Sequence, residues 1–388
     1  MKKVSFYFSA GDFYEALRRF GEGLSQFYQT HDEIAKLVCE LSEQRIQTTI
    51  FSLVTPARKE RTYGDWVKII DLGEKSFTET ASLVRSVREV PADAIIAHYA
   101  SSQKFLRACL DTKSRTFPIL ANTDNRTGLR AWARRKRYVR LLNHPRFDLV
   151  ANHCMPATRQ LAAFGVETEK LVAWDIVHPF HPNTRSAKPL QKHGPFHMFY
   201  AGSINEAKGV GDLIRALPVA IGHGIDARCV LAGAGTVDSM QALAHALGVE
   251  DKVVFAGMLP NAEVRERMAD ADVVVIPSRA EFPEGFPLTM FEALASRTPV
   301  LCSDHPVFRD LFVDGRDVAL FKEGDSASLA RALVRLLSDG ELYHHLSLNA
   351  EATWKLLDGP ADWRRLVKTW IFEGASAPWI QKHVLSNS

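Results

Sequence analysis

The sequence predicts an α/β protein built from two doubly wound domains, each with a parallel sheet. Short apolar runs alternate with helical patterns along the chain, which is typical of βαβ units. At 388 residues the chain is too long for one ordinary core and fits two domains of about 200 residues each. Region 178–194 has prolines and basic residues but no periodicity, so we interpret it as a linker. The predicted division is a first domain at 1–180, a linker at 181–195, a second domain at 196–360 and a tail at 361–388.

The individual elements follow from the period of the apolar residues. In the first half, strands are expected at Val4–Ser9, Thr48–Val54, Ala94–Ala97, Pro118–Asn122, Asp148–Ala151 and Leu171–Trp174. Helices are expected between them, over Tyr14–Ser42, Phe77–Val90, Gln103–Leu110 and Pro156–Phe164. In the second half, the expected strands are Phe196–Ala201, Arg228–Ala232, Val253–Ala256, Val273–Ile276 and Val318–Phe321. The expected helices there are Gly211–Ile221, Val237–Leu247 and Ala327–Leu337, with one further helix starting near Pro287.

Composition excludes several classes of protein. With 46% hydrophobic and 24% charged residues, the chain has the composition of an ordinary soluble protein. No apolar run approaches the ~20 residues that span a bilayer. The first residues are basic but lead into a short strand pattern, so we expect no signal peptide. The five cysteines are scattered and odd in number, which indicates reduced thiols in a cytoplasmic protein.

The most informative segment runs from Ser278 to Asp304. It follows the apolar run Val273–Ile276, which predicts a buried parallel strand. Pro287 suits the first turn of a helix, where its missing N–H would have no partner. The free amides of Leu288 and Thr289 would then form an anion site, strengthened by the helix dipole.

Two glutamates flank this anion site. Glu284 precedes the helix, whereas Glu292 lies one turn inside it, on the same face as Leu288. One of the two carboxylates can therefore face the group attached beyond the bound phosphates. The other can bind hydroxyl groups that lie behind the phosphates. This layout is the one expected for a nucleotide-sugar site.

The segment resembles the donor-site signature of the retaining glycosyltransferases of family 4. The matching residues are Glu284, Gly285, Phe286, Pro287, Glu292 and Ala293, followed by Pro299-Val300 and Ser303-Asp304. The resemblance implies the GT-B architecture, in which two Rossmann-like domains face a cleft. It also implies that C-terminal helices, here around Trp363–Ile371, cross back to the first domain. Such enzymes are metal-independent, so we expect no metal ligands and no cofactor besides the nucleotide diphosphate-sugar substrate.

The resemblance assigns roles within the second domain. Glu292 is expected to bind the ribose, Glu284 to contact the donor sugar and act in catalysis, and Lys208 to hold the diphosphate. The alternative for Lys208 is a merely solvated lysine. The family has an arginine where this chain has Ser203, so neutralisation of the diphosphate relies more on Lys208 and the helix amides. The full donor-binding set is Ser203, Gly233, Gly235, Gly285, Phe286, Pro287, Leu288, Thr289 and Glu292.

Two matches to the family pattern are less specific than the signature. Gly233 and Gly235 match a glycine loop near the nucleotide, but a plain tight turn is an equally good interpretation, because no third glycine completes a dinucleotide fingerprint. Pro277-Ser278 matches a dipeptide that precedes the signature in the family. There we expect backbone geometry to matter more than the hydroxyl of Ser278.

The first domain contains weaker signals. Gly11 lies in a small-residue loop after the first strand, where relatives contact the acceptor; a simple turn is the alternative. His98 ends a strand and either lines the cleft or is a hydrogen-bonded core histidine. Relatives often have a histidine after the strand that ends near residue 122, whereas this chain has Asn122 and Asp124 there. By position, Asn122 can bond a sugar hydroxyl and Asp124 can act as a base, and both are candidate catalytic residues.

A basic segment, Arg126–Arg140, is interleaved with apolar and aromatic residues and has no acid. A basic helix with an aromatic residue is typical of docking on an anionic membrane surface; the alternative is a solvated helix. Nucleic acid is a poorer fit, because the net charge is only +3 and no recognition motif is present. The membrane hypothesis places the protein on the cytoplasmic face of the plasma membrane, acting on a lipid-linked acceptor.

Together these features predict a retaining, hexosyltransferase-type glycosyltransferase of polysaccharide or glycoconjugate biosynthesis. It would move a sugar from a nucleotide diphosphate donor to a saccharide or lipid-linked glycan. Two alternatives stay open. A nucleotide-sugar epimerase also pairs Rossmann-like domains, although no clear additional acid/base set is visible in the sequence. A catalytically silent binding subunit is compatible with the losses at Ser203 and Asn122.

Overall fold

The computed structural model describes residues 2–76, 78–98, 100, 102–190, 195–357 and 359–387. The chain forms two compact units. The first contains 1–122, 126–177 and 359–388, and the second contains 123–125 and 178–358. Each is an α/β unit with a mainly parallel sheet, so the predicted fold class is confirmed.

The first unit has nine strands among its described residues. They are β1 (Lys3–Ala10), β2 (Gln47–Val54), β3 (Lys59–Tyr63), β4 (Val67–Glu74), β5 (Ala94–Ala97), β6 (Arg115–Leu120), β7 (Val150–His153), β8 (Leu171–Asp175) and β15 (Ala361–Asp362). Their order in the sheet is β15-β8-β7-β6-β5-β1-β2-β4-β3, with only β3 antiparallel to its neighbour. The helices are α1 (Phe13–Gly21), α2 (Gln29–Glu43), α3 (Ala81–Glu89), α4 (Gln103–Leu110), α5 (Leu129–Leu142), α6 (Cys154–Phe164), α14 (Trp363–Phe372) and α15 (Pro378–Gln381).

The second unit has a six-stranded parallel sheet in its described part, of order β11-β10-β9-β12-β13-β14. The strands are β9 (Phe196–Ala201), β10 (Ala227–Ala232), β11 (Val253–Gly257), β12 (Val273–Ile276), β13 (Val300–Ser303) and β14 (Ala319–Phe321). The helices are α7 (Val210–Gly222), α8 (Val237–Ala246), α9 (Asn261–Asp270), α10 (Leu288–Ala295), α11 (Pro306–Arg309), α12 (Ser326–Ser338) and α13 (Gly340–Lys355).

The C-terminal segment returns to the first unit, as the resemblance implied. β15 pairs with β8, and Asp362 caps α14 by accepting from the amide of Arg365 at 2.8 Å. Trp363 and Trp370 are buried in this unit, and Arg364 forms ion pairs with acidic residues of α2. Burial of two tryptophans, each a large apolar surface, makes this segment part of the core of the first unit.

Several predicted elements differ from the structure. The single helix expected over Tyr14–Ser42 is two helices, α1 and α2, because the chain turns at Gly23, whose φ is +69°. The hairpin of β3 and β4 was missed, since β3 is mostly charged or exposed. The helix expected from Phe77 begins at Ala81, and Phe77 itself lies outside the described residues, as do residues 191–194 of the linker.

Candidate functional site

The loop between β9 and α7 carries Lys208 and packs on a second loop through its backbone. The amide of Lys208 donates to Asn205 Oδ1 at 2.9 Å, which closes a turn. Gly209 has a φ of +73°, and a Cβ there would lie 1.9 Å from the carbonyl oxygen of Pro277. Only glycine permits this approach. The packing brings Lys208 beside the loop that follows β12.

The glycine loop after β10 is held in the same way. Gly233 has a φ of +144°, and a Cβ there would lie 1.8 Å from the carbonyl oxygen of Gly202. At Gly235 the added atom would lie 2.2 Å from the carbonyl oxygen of Ile204. Backbone packing therefore requires both glycines, whatever they contact in a ligand complex. Their contact with a nucleotide stays a prediction.

Lys208 and Glu284 form a mostly buried ion pair. The Lys208 ammonium contacts Glu284 Oε1 and lies 4.1 Å from the centroid of the Phe282 ring. Ser278 donates its hydroxyl to the same carboxylate oxygen at 2.7 Å. The Ser303 hydroxyl in turn donates to the carbonyl of Ser278 at 2.6 Å. Glu284 is thus fixed by a cation and a hydroxyl, and Lys208 is not merely solvated.

Ser278 differs from its expected role, because its side chain as well as its backbone takes part in the site. Its hydroxyl is buried and directed at a carboxylate, which satisfies both groups. The position of Ser278, two residues after the end of a buried strand, was the signal that could have identified it.

Glu292 lies one turn inside α10, and only 5% of its surface is exposed. Burial raises the pKa of its carboxyl to about 7, partly opposed by the charge of Arg265. No side-chain hydrogen bond to the Glu292 carboxyl is present among the described residues. A buried carboxyl that lacks a donor is costly in the ionised form, which agrees with its raised pKa.

The start of α10 has the geometry of an anion site. Pro287 precedes the first helical residue, and the Met290 amide donates to the Pro287 carbonyl at 3.0 Å. Leu288 and Thr289 are the first two residues of the helix, so their amides have no acceptor within it. Phe286 anchors the turn by packing on Phe291, Phe308 and Phe312.

A network that the sequence analysis missed supports these loops. Arg279 donates to both carboxylate oxygens of Asp212, at 2.6 and 2.7 Å, and to Glu206 at 3.1 Å. The amide of Ala280 donates to the carboxylate of Glu323. These contacts tie the signature loop to α7 and to the loop after β14. They join residues too distant in sequence to form a recognisable pattern.

His305 supports the loop from the other side. The amide of Val307 donates to His305 Nδ1 at 3.2 Å, so Nε2 carries the proton and donates to the carbonyl of Phe282 at 3.1 Å. Burial lowers the pKa of His305, which keeps the ring neutral. His305 therefore positions the loop that carries Glu284.

Ser203, at the position of the family's arginine, is exposed. Its carbonyl accepts from the Tyr200 hydroxyl at 2.7 Å, while its own hydroxyl has no partner among the described residues. A serine supplies no charge to a diphosphate. The nearby Lys208 is the cation of this loop, and Glu284 already neutralises it.

In the first unit, Gly11 and His98 are explained by local packing. Gly11 has a φ of +133°, and a Cβ there would lie 3.1 Å from His31 Nε2. His98 Nε2 accepts from the indole of Trp363 at 2.6 Å, and burial lowers the pKa of His98 to about 3. The ring packs on Phe8 with centroids 5.0 Å apart. His98 therefore matches the alternative of a hydrogen-bonded histidine, and acceptor contacts by either residue stay predictions.

The two remaining candidates, Asn122 and Asp124, belong to different units. Asn122 lies in the first unit, where its amide donates to Asn152 Oδ1 at 3.3 Å. Asp124 lies in the three-residue segment that belongs to the second unit and not, as predicted, to the first domain. In that segment the Thr123 hydroxyl donates to the carbonyl of Glu284 at 2.7 Å. This bond explains the assignment, and the catalytic roles of Asn122 and Asp124 stay predictions.

Comparison with known proteins identifies the region that carries this site. Residues 183–353 match the family described as glycosyl transferases group 1. All the predicted donor-binding residues lie within this region, from Ser203 to Glu292, together with Lys208 and Glu284.

Curated relatives match only part of the chain. The amylovoran biosynthesis glycosyltransferase AmsK of Erwinia amylovora is 29% identical over 50% of this chain and 45% of its own length. A phosphatidyl-myo-inositol mannosyltransferase of Mycobacterium leprae is 35% identical over 37% of this chain and 38% of its own length. The chain thus spans half or less of the length of these relatives.

Similarity in fold extends further than similarity in sequence. The solved structure of sucrose-phosphate synthase from Thermosynechococcus elongatus aligns with a TM-score of 0.67, covering 96% of this chain and 98% of that one. At 15% identity this likeness concerns the fold alone. In the described part of the chain, the helices are too short or too polar to cross a membrane.

Proposed function

We propose that the chain is a retaining glycosyltransferase that takes a sugar from a nucleotide diphosphate donor. The observation that carries the proposal is the buried carboxyl of Glu292, which has no hydrogen-bond partner within the described part of the chain and lies one turn from the free amides of α10. Ribose hydroxyls supply the missing donors, and the diphosphate occupies the helix N-terminus. The match of residues 183–353 to glycosyl transferases group 1 supports the same assignment.

Lys208 neutralises the departing diphosphate in this proposal. Because Lys208 is paired with Glu284 in the structure, binding of the donor must redirect the ammonium toward phosphate oxygens. Glu284 then accepts hydrogen bonds from the donor sugar while Ser278 still donates to it. Stabilising the charge that develops on the leaving group is the main electrostatic task of the site. With Ser203 in place of arginine, Lys208 has a larger share of that task.

The family resemblance implies how the sugar is transferred. The acceptor attacks from the same face as the departing diphosphate, and a phosphate oxygen assists removal of the acceptor proton. The configuration is retained without a protein nucleophile or a metal at the donor site. Exclusion of water from the bound donor limits its hydrolysis.

The acceptor we propose is a lipid-linked saccharide at an anionic membrane surface. Helix α5 supports this idea, because it exposes 86% of Leu129 and 57% of Trp132. Neighbouring helices α4, α5 and α6 carry nine Lys or Arg residues and no Asp or Glu: Lys104, Arg107, Arg130, Arg134, Arg135, Lys136, Arg137, Arg140 and Arg159. Cations near an anionic surface contribute about 1 kcal/mol each. At such a surface the protein would act on the cytoplasmic leaflet as a peripheral enzyme.

One experiment tests transfer against the two alternatives. The purified chain is incubated with UDP- and GDP-sugars, and the release of nucleoside diphosphate and sugar is followed by chromatography. Slow hydrolysis that the Lys208→Ala variant lacks supports a transferase. An epimeric nucleotide sugar indicates an epimerase. Tight binding without any turnover indicates the silent subunit, which the neutralised Lys208 and the uncharged Ser203 would favour.

A further inference from the structure

Three side chains of different chemistry meet in the first unit. β7 pairs in parallel with β8, and His153 lies opposite Trp174. Cys154 follows His153, and Asp175 follows Trp174. Because the two strands are parallel, Cys154 and Asp175 lie at the same edge of the sheet. One potential ligand atom of each of His153, Cys154 and Asp175 lies within 4.8 Å of the other two.

The atoms of this cluster are already close to the spacing of a metal site. A ring nitrogen of His153, Nε2, lies 3.1 Å from Asp175 Oδ1, and Cys154 Sγ donates to Asp175 Oδ2 at 3.6 Å. Ligand atoms around tetrahedral zinc are separated by about 3.4–3.6 Å, given bonds of about 2.0–2.3 Å. The cluster therefore needs only small side-chain movements to surround an ion.

Hydrogen bonds fix the backbone around the cluster. Asn152 is fully buried and its Oδ1 accepts from the amide of His153 at 2.9 Å. Thr158 donates its hydroxyl to the carbonyl of Cys154 at 2.8 Å. Cys154 has a φ of +58°, a left-handed conformation that is unfavourable for any residue other than glycine. A strained residue held at one end of a sheet, beside a buried His and Asp, points to a function.

We propose that His153, Cys154 and Asp175 bind a divalent transition metal, with zinc the expected ion. A thiolate, an imidazole and a carboxylate are all zinc ligands, and three protein ligands leave a fourth position for water. The thiolate and the carboxylate together carry two negative charges, which cancel the charge of the ion. The buried site is then electrically neutral, which avoids the cost of burying a net charge.

Binding of the ion releases one proton. The Cys154 thiol donates to Asp175 Oδ2, so the cysteine holds its proton before binding. The metal replaces that proton, which leaves to solvent, while the imidazole binds in its neutral form. His98 is nearby but is not needed as a ligand, since its Nε2 accepts from Trp363. The ion would join the start of α6 to the end of β8 and stabilise the first unit.

The test uses Co²⁺ as a probe with the full chain, because a cobalt–thiolate bond gives an intense near-ultraviolet charge-transfer band. We expect this band at one equivalent of Co²⁺ in the wild type and in the control Cys39→Ser, whose cysteine lies on α2. The band should be absent from Cys154→Ser. No band in the wild type, or an equal band in Cys154→Ser, would overturn the proposal.

A second measurement keeps the test decisive if Cys154→Ser does not fold. In competition with a chromogenic chelator, Asp175→Asn should bind Zn²⁺ roughly 100-fold more weakly than the wild type. Zn²⁺ should also raise the Tm of the wild type but not that of Asp175→Asn. Equal Zn²⁺ affinity in the two proteins would contradict the site. Neither readout depends on glycosyl transfer, so the result is independent of the proposed function.

Discussion

The candidate residues of the two units differ in how they are brought together. In the second unit, Lys208 and Ser278 lie on two different loops, and both contact the carboxylate of Glu284. In the first unit, Gly11 and His98 each have separate local partners. The second unit thus concentrates its candidate side chains on one carboxylate, whereas the first unit uses Gly11 and His98 in separate packing contacts.

The largest effect we expect comes from breaking the ion pair between Lys208 and Glu284 in the second unit. Lys208→Ala should lower the rate of transfer or donor hydrolysis by roughly 10²–10³-fold, because the diphosphate loses its cation. Lys322→Ala, at an exposed lysine of the same unit, is the matched control and should keep the wild-type rate. The check is a comparison of initial rates, and a wild-type rate in Lys208→Ala would remove this residue from the mechanism.

The next-largest effect tests whether helix α5 of the first unit binds an anionic membrane surface. Replacing Arg130, Arg137 and Arg140 of α5 with glutamine should weaken binding to phosphatidylglycerol vesicles by about 3 kcal/mol, or roughly 100-fold. All three side chains are exposed. Arg135 is a poor choice, because its guanidinium packs on Phe164 at 3.9 Å and donates to the carbonyl of Arg126.

Vesicle sedimentation measures this effect. The control replaces three exposed cations of the second unit, Arg228, Lys322 and Arg331, with the same charge change. Binding of the wild type should weaken as salt is raised, since the contact is screened. An equal loss of vesicle binding in both triple variants would show that binding depends only on the net charge of the protein. If the wild type does not sediment with vesicles, the membrane surface is excluded as a partner.

A smaller effect, on stability, isolates Glu292. The folded state raises the pKa of this carboxyl from 4.5 to about 7, so the folded protein holds its proton more tightly than the unfolded chain does. The stabilisation is complete below pH 4.5 and is lost as the pH rises through 7. The loss should be about 2–3 kcal/mol for a shift of this size.

Unfolding in urea at pH 5 and pH 8 checks this prediction. Glu292→Gln removes the titrating group and should reduce the fall in stability between the two pH values. Glu341→Gln, at an exposed glutamate of α13, is the control and should behave like the wild type. An identical pH dependence in Glu292→Gln and the wild type would contradict the buried, titrating carboxyl.

Much of the fold was predictable, because the spacing of apolar residues and the positions of turn residues determine secondary structure locally. The start of α10 at Pro287 and the position of Glu292 one turn inside it follow from such local rules. The pairing of Lys208 with Glu284 was not predictable, because it depends on the close backbone contact between Gly209 and Pro277. His153, Cys154 and Asp175 likewise show no recognisable spacing, since parallel pairing of two strands brings them together.

The central claim is that the second unit binds a nucleoside diphosphate through Glu292 and the start of α10. Calorimetric titration with UDP and GDP tests it most directly, using the wild type, Glu292→Gln and the control Glu341→Gln. We expect at least one of the two nucleotides to bind the wild type and the control equally. Glu292→Gln should bind it about 1.5–3 kcal/mol more weakly, because a charged acceptor for the ribose hydroxyls is lost. Equal affinity in all three proteins, or no binding of either nucleotide to the wild type, would contradict the claim.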